Sequence, residues 1–393
     1  MNKREFLKVL GLSSLGLLGS KVISAGNLAE SSLSESNLSV FDPSIIRVRR
    51  DQKKKNWAWI MTDTKPNEDE WKRKFSQMHE AGIDAILPEI YDSNHAYYQS
   101  RHLPVKEAWL EKLLPLAKSE GLEVHGWMRA MMCNIEEIKE KHPDWFVINR
   151  KGESAAEKPA YVNYYKFMCP SNPGVQEFVK ATVTELSEYE QLDGVHLDYI
   201  RFPDVILAEA LQPKYNIKQD KEYPEYDYCY CDICTSEFKK QTGIDIKKLE
   251  DPAANKKWRQ FRYDRITNLV NKILVPAARK NKKPVTAAVF PNWEMVRQQW
   301  YRWDLDAFLP MLYNGFYAKG IDWIKEQTAI EAKLLKGHAP LYSGLFIPQL
   351  NPKELAEAVE ASFSGGAKGV SLFLSYSMTD EHWQSFKSAV KKT

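Results

Sequence analysis

One segment of the chain places an acid, an aromatic ring and a cation at the end of a predicted strand. In residues 193–203, an apolar strand face is followed by Asp198, Tyr199 and Arg201. Reactive groups collect at the carboxyl ends of strands in parallel α/β folds. A carboxylate in this setting could act on a polar, neutral substrate such as a sugar. A structural Asp–Arg ion pair is the alternative.

The elements that must position these residues alternate between strand and helix from about residue 55 onward, which is typical of a parallel α/β fold. Strands are predicted at 56–62, 83–90, 122–129, 194–199, 285–290, 307–313, 341–346 and 369–374. Helices are predicted at 68–81, 106–120, 135–141, 173–190, 258–281, 321–336, 352–364 and 380–391. This pattern predicts a (β/α)8 TIM barrel with an insertion, residues 204–257, after strand 4. An open doubly wound sheet is the alternative, but no glycine-rich phosphate loop follows any predicted strand.

Acids at the predicted strand ends suggest hydrolysis of a glycosidic bond by two carboxyl groups. In that mechanism one carboxyl protonates the leaving oxygen, and the other attacks the sugar or activates water. Asp198 is the candidate nucleophile or base, and we expect Arg201 to keep it ionised. Glu294, after strand 5, and Glu89, in strand 2, are the candidate acids. Apolar neighbours are expected to raise the pKa of Glu89.

The other polar and aromatic side chains at the strand ends are predicted to bind the substrate, because flat rings suit the apolar faces of sugars. His196 lies on the same side of its strand as Asp198. It either donates a hydrogen bond to a sugar hydroxyl or is a satisfied core histidine. The predicted substrate-binding residues are Trp59, Asp63, Tyr91, Trp127, Arg129, His196, Arg201, Trp293, Tyr313, Asn314 and Tyr376.

Three of the five cysteines, Cys229, Cys231 and Cys234, lie close together within the predicted insertion. A C-x-C-x-x-C spacing is a compact ligand set for zinc, and the fourth ligand could be Cys169, Cys133 or a remote His or Asp. A closed site of this kind would be structural, and we expect no cofactor for catalysis. A disulfide that leaves one thiol unpaired is the alternative.

Composition and the N-terminal pattern indicate an exported globular protein. A net charge of +3 over 393 residues gives no electrostatic footprint for nucleic acid. Residues 1–26 combine a basic start, a short apolar stretch and a small-residue exit, which predicts a bacterial export signal. The apolar stretch is too short for a membrane span. Residues 27–44 are predicted to be a linker and residues 45–393 the barrel, in the periplasm or outside the cell.

Four segments of the chain match a known family: DGVHLDYIRFP at 193–203, HPDW at 142–145 with RKG at 150–152, CPSNP at 169–173 and FLPMLY at 308–313. On these segments the chain resembles the glycosyl hydrolase-like family 10, exported bacterial (β/α)8 barrels assigned as glycoside hydrolases. The resemblance implies hydrolysis of glycans, in some members of peptidoglycan strands, and supports Asp198 as the acidic position of strand 4. Many relatives carry Asp-Asp where this chain has Asp198-Tyr199, so the second carboxylate stays open. The cysteine cluster is also similar to the zinc-binding cysteines of some barrel β-galactosidases.

Three classes of function compete at this point. The first is an exported glycoside hydrolase that acts on an oligosaccharide or polysaccharide. The second is a non-catalytic carbohydrate-binding barrel, which would lack a second carboxyl matched to Asp198. The third, a metal-dependent deacetylase, requires a His/Asp ligand set that the eight scattered histidines do not make. Whether Glu294 or Glu89 reaches Asp198 across a cleft separates the first class from the second.

The export signal predicts where the mature protein begins. Cleavage at the small-residue exit should leave an N-terminus at or close to the bond after Ala25. N-terminal sequencing of the protein from its native host checks this, and Met1 on the mature chain would contradict it.

Overall fold

The computed structural model describes residues 53–393, in which eight parallel strands form a nearly closed barrel. Neighbouring strands follow the chain order, and the last strand pairs with the first. The sixth and seventh strands are joined by isolated bridges, Phe308 with Leu341 and Met311 with Gly344. The barrel fold predicted from the sequence is therefore confirmed. The strands are β1 Trp57–Ile60, β2 Ala85–Tyr91, β3 Glu123–Arg129, β4 Gly194–Asp198, β5 Val285–Val289, β6 Ala307–Pro310, β7 Ser343–Phe346 and β8 Val370–Phe373.

Helices follow the strands and cover the outside of the barrel. Several begin at capping residues that the sequence shows, since the side chains of Asn67, Asn172 and Asn351 accept hydrogen bonds from the first turn of the helix each precedes. A π-helical turn, Leu269–Leu274, joins two helices within the predicted helix 258–281. The helices are α1 Glu68–Ala81, α2 Trp109–Ser119, α3 Glu136–Lys141, α4 Pro173–Glu188, α5 Asp232–Thr242, α6 Lys256–Asn268, α7 Val275–Lys280, α8 Asp322–Leu335, α9 Pro352–Ser364 and α10 Asp380–Lys392.

The period of two along each strand separates two apolar cores. On β4, Val195 and Leu197 pack outward in the large core between sheet and helices. The alternate residues face the barrel interior, where His196 and Asp198 each accept a hydrogen bond from an indole N–H. The strand therefore carries its polar side chains into the interior and delivers Asp198 at its carboxyl end.

The chain between β4 and α6 contains regular structure as well as loops. It holds α5 and a 3-10 helix, Glu209–Tyr215. A fully buried ion pair between Arg262 of α6 and Asp227 ties this segment to the barrel, and the same guanidinium donates to the carbonyl of Tyr228 at 2.8 Å. These contacts with Arg262 fix the segment to helix α6 of the barrel.

The N-terminal predictions lie outside the described residues, namely the export signal at 1–26 and the linker at 27–44. Among the helices between residues 53 and 393, none combines the length and the apolar character that a membrane crossing requires.

One buried carboxyl lies outside the strands, on α8. Glu331 is 1% exposed, and its Oε1 accepts a hydrogen bond from Gln327 Nε2 at 3.2 Å. Its Oε2 has no hydrogen-bond partner among the described residues. Burial raises the pKa of Glu331 to about 8, because the charged form loses its hydration without gaining a cation.

The raised pKa of Glu331 makes stability depend on pH. Between pH 4.5 and about 8 the folded state holds a proton that the unfolded state releases, so the free energy of unfolding falls as the pH rises. Glu331→Gln should remove this loss and unfold at a higher denaturant concentration than wild type at pH 8.5, with a smaller difference at pH 5. Glu326→Gln, on the exposed side of the same helix, is the control. Parallel curves for Glu331→Gln and wild type would contradict the assignment.

Candidate active site

A cavity of about 140 Å³ lies at the carboxyl ends of the barrel strands. This volume is below the roughly 300–1,000 Å³ of pockets for drug-sized ligands and is on the scale of a single sugar ring. The rings of Tyr313 and Phe373 are stacked there, with centroids 5.6 Å apart. Aromatic side chains dominate the walls and include Trp59, Trp127, Tyr199, Phe290, Tyr313 and Phe373.

Asp198 is a carboxyl in this cavity, and it is only 8% exposed. Its Oδ2 accepts a hydrogen bond from Trp127 Nε1 at 3.0 Å, and its Oδ1 accepts one from the backbone N–H of Tyr199 at 2.6 Å. Burial raises the pKa of Asp198, and this effect outweighs the Tyr199 N–H and the nearby guanidinium groups of Arg129 and Arg201, which lower it. The carboxylate is therefore both held in orientation and made more basic.

Arg201 has a different ion partner from the one expected. Its Nη1 lies 3.0 Å from Asp204 Oδ2 and also donates to the carbonyl of Phe202, while its Nη2 donates to Tyr165 Oη at 3.2 Å. The charge of Arg201 lowers the pKa of Asp198, as expected, but burial raises that pKa by more.

Asp204 is a second carboxyl among the lining residues, and sequence reasoning missed it. It was assigned to the start of the insertion, although its i,i+3 spacing from Arg201 is a signal for an ion pair.

Glu89 lies behind Arg129 rather than in the cavity. Arg129 lines the cavity and binds Glu89 Oε1 through Nε at 2.7 Å and Nη2 at 2.5 Å, with both residues buried. The strand register places Arg129 opposite Asp198 and Glu89 opposite Trp127, so the arginine lies on the strand between the two acids. Burial raises the pKa of Glu89, as predicted, against the lowering effect of Arg129.

Three buried carboxyls and two buried guanidiniums thus share this end of the barrel. Arg129 is paired with Glu89, and Arg201 is paired with Asp204. No ion pair within 4.0 Å joins Asp198 to a cation of residues 53–393. Asp198 is the acid that is buried without an ion partner of its own.

Glu294 does not line the cavity that holds Asp198. It lies on a 3-10 helix, Trp293–Val296. Burial raises the pKa of Glu294, while Arg259 and Arg297 lower it. Trp293 packs edge-on against Tyr263 of α6, with ring centroids 5.3 Å apart. The chain after β5 therefore packs against α6, which separates both predicted residues from the cavity.

His196 is a satisfied core residue, so its predicted contact with substrate is wrong. It is fully buried; its Nε2 accepts from Trp59 Nε1 at 3.0 Å, and its Nδ1 lies 2.8 Å from Thr286 Oγ1. Burial lowers the pKa of His196 well below its usual value, which keeps the ring neutral. Its role is to hold Trp59 at the inner end of the cavity.

The remaining predicted substrate-binding residues fall into two groups. Five line the cavity: Trp59, Trp127, Arg129, Arg201 and Tyr313. Four others do not. Tyr91 packs in the outer core beside Cys133, and Asn314 Nδ2 donates to the carbonyl of Lys319. Asp63 and Tyr376 are near each other on the rim, where Tyr376 is 37% exposed.

Four cysteines come together at a second place, where the loop before α4 meets the segment between β4 and α6. The sulfurs of Cys169, Cys229, Cys231 and Cys234 all lie within 4.8 Å of one another. Cys169 Sγ is 3.6 Å from Cys231 Sγ and 3.5 Å from Cys234 Sγ. The structure therefore selects Cys169 as the fourth member of the predicted cluster, while Cys133 lies elsewhere beside Tyr91. All five are free cysteines.

Solved structures with a similar fold come from carbohydrate-active enzymes. The catalytic domain of β-amylase from Paenibacillus polymyxa has a TM-score of 0.63 at 11% identity, covering 87% of this chain and 99% of that one. The PgaB (BpsB) glycoside hydrolase domain from Bordetella bronchiseptica has a TM-score of 0.62 at 12% identity, covering 86% and 97%. At these identities the likeness shows the fold.

A longer relative of the same fold is the β-galactosidase from the psychrophilic Marinomonas ef1. It has a TM-score of 0.61 at 10% identity, covering 86% of this chain; the present chain spans 59% of that protein's length. No curated protein is a significant match to the sequence. The family model described as Glycosyl hydrolase-like 10 matches residues 54–333.

Proposed function

The chain belongs to the glycosyl hydrolase-like 10 family, and from this premise we propose that it hydrolyses glycosidic bonds, with Asp198 as the carboxylate that acts at the sugar. The observation that carries the proposal is the placement of Asp198 in a cavity walled by aromatic rings at the strand ends. Aromatic faces suit the apolar faces of a sugar ring, and carboxyls are the groups that cleave glycosides.

Asp198 is proposed as the nucleophile or base in its ionised form. Hydrogen bonds from Trp127 and the Tyr199 backbone fix both oxygens, so little reorganisation is needed when it acts. The raised pKa makes the carboxylate a stronger base than an exposed aspartate, which favours proton abstraction from water or attack at the anomeric carbon.

The second carboxyl is proposed to be Glu89 or Asp204, and each has one feature in its favour. Glu89 has the raised pKa that a proton donor needs, but Arg129 lies between it and Asp198. Asp204 lines the cavity, but it is paired with Arg201. Glu89→Gln and Asp204→Asn separate the two, because loss of the acid should slow poor leaving groups more than activated aryl glycosides.

Replacing Asp198 tests the proposal. Asp198→Asn keeps the side-chain shape and removes a buried charge, so we expect an unfolding midpoint at pH 7 no lower than that of wild type and a loss of at least about 1,000-fold in kcat. The assay uses p-nitrophenyl glycosides and oligosaccharides of glucose, galactose and N-acetylglucosamine, with Asp322→Asn on the exposed surface of α8 as control.

Two results would contradict the proposal. If wild type cleaves a glycan and Asp198→Asn does so equally well, Asp198 is not the acting carboxylate. If wild type binds these sugars and cleaves none, the non-catalytic carbohydrate-binding barrel replaces the hydrolase.

We also propose that the four-cysteine cluster binds one structural zinc ion. A tetrahedral zinc site with Zn–S bonds of about 2.3 Å has S–S edges of about 3.8 Å, close to the 3.5 and 3.6 Å found here. Thiolate sulfur is a donor that zinc favours, and four protein ligands leave no open position for catalysis. Cys169 precedes α4, and Cys231 and Cys234 lie at the start of α5, so the ion would tie these elements together.

Metal content tests the zinc site. The purified protein should contain about one zinc per chain by elemental analysis, and Cys169→Ser should lose it and lower the unfolding temperature. Cys133→Ser, which changes a buried cysteine outside the cluster, should keep the zinc. An absence of metal together with a disulfide among the four cysteines would favour the oxidised alternative instead.

Export to the periplasm or the cell exterior remains part of the proposal. It rests on the pattern of residues 1–26, and the N-terminal sequencing described above tests it.

A further inference from the structure

The outer wall of the cavity comes from the segment that follows Arg201. Leu207, Ala208, Leu211 and Tyr215 line the cavity opposite the strand-end residues. We call residues 205–219 the strap. Its 3-10 helix, Glu209–Tyr215, packs against a second 3-10 helix, Asn314–Tyr317, which follows β6. Two segments from different loops therefore meet at the cavity and limit its volume.

The strap is closed on itself by two buried glutamines. Gln212 Nε2 donates to the carbonyl of Leu207 at 2.9 Å, and its Oε1 accepts from the backbone N–H of Gln219 at 2.8 Å. Gln219 Oε1 accepts from the backbone N–H of Leu207 at 2.8 Å. Buried amides with both ends satisfied resist opening, because each broken bond leaves an unpaired polar group. The strap is therefore a fixed wall.

Gln219 also joins the strap to the active site. Gln219 Nε2 donates to Tyr161 Oη at 2.9 Å, and Tyr161 Oη donates to the carbonyl of Asp204 at 2.8 Å. Asp204 is in turn the ion partner of Arg201. The position of the strap is thus set by the same network that arranges the charged groups around Asp198.

We infer that the cavity takes one terminal sugar residue of a glycan chain, so that the enzyme acts at chain ends rather than within chains. The inference rests on the proposed function for its catalytic part. A volume of about 140 Å³ has room for one ring beside Asp198, and the strap occupies space that the next rings of an internal site would need. An enzyme that cleaves within a chain requires an open groove on both sides of the reacting carboxyl.

Binding measured against chain length tests the inference without requiring turnover. The probe is Asp198→Asn protein titrated with oligosaccharides of two to six units of glucose, galactose or N-acetylglucosamine. Binding is followed by isothermal titration calorimetry and by the change in total tryptophan fluorescence, to which Trp59 and Trp127 in the cavity wall contribute. For the series that binds, we expect affinity to change less than about threefold from two to six units. A rise of tenfold or more, or internal fragments as the first products of the wild type, would overturn the inference.

Variants of the strap provide a second test of the inference. Leu211→Trp should fill the cavity and weaken binding at least tenfold for short and long chains alike, whereas Lys218→Ala, exposed on the same segment, should not. Gln212→Ala combined with Gln219→Ala should make affinity rise with chain length. Equal binding by wild type and Leu211→Trp would overturn the inference. Chain-length-independent binding without hydrolysis by wild type would instead contradict the proposed function and leave the one-ring pocket standing.

Discussion

The arrangement of this site follows from the cost of burying charge. Three buried carboxyls and two buried guanidiniums lie at one end of the barrel. A buried charge without a partner is strongly unfavourable. Arg129 forms an ion pair with Glu89, and Arg201 forms one with Asp204. Of the three acids, Asp198 is therefore the one without an ion partner. Its hydrogen bonds from Trp127 and Tyr199 reduce the penalty, but the raised pKa shows that they do not cancel it. An acid in that state is basic, oriented and adjacent to the cavity.

The barrel delivers this acid through strand register. The period of two along β4 sends Val195 and Leu197 into the outer core and His196 and Asp198 into the interior. His196 fixes Trp59, which lines the cavity beneath the reacting position. The same strand therefore packs against the outer core, positions Trp59 in the cavity wall and supplies the Asp198 carboxyl. A shift of one residue in its register would turn each side chain to the opposite face and abolish all three contributions.

The fold could be predicted from the sequence because its signals are local. The alternation of apolar strand and helix patterns predicts the barrel, with errors mainly at element ends such as the predicted strand 56–62, which the structure shortens to Trp57–Ile60. Asp198 could be predicted for the same reason, since its position depends only on where β4 ends. The partners of these residues could not be predicted from the sequence. The ion pair of Arg201 with Asp204 and the place of Cys169 in the cysteine cluster depend on contacts between segments that only the fold brings together. The position of Glu294 outside the cavity lining could not be predicted either, because it depends on the packing of the chain after β5 against α6.

The central claim is that Asp198 is buried without an ion partner and therefore titrates above an ordinary aspartate. Carboxyl 13C NMR on protein labelled at aspartate measures this directly, with Asp198→Asn to assign the signal. The account predicts that the resonance absent from Asp198→Asn has a midpoint above the usual value of 3.8 and shifts when a sugar occupies the cavity. A resonance assigned to Asp198 that titrates at or below 3.8 would contradict the account, because it would show that a cation neutralises the carboxylate in the folded protein.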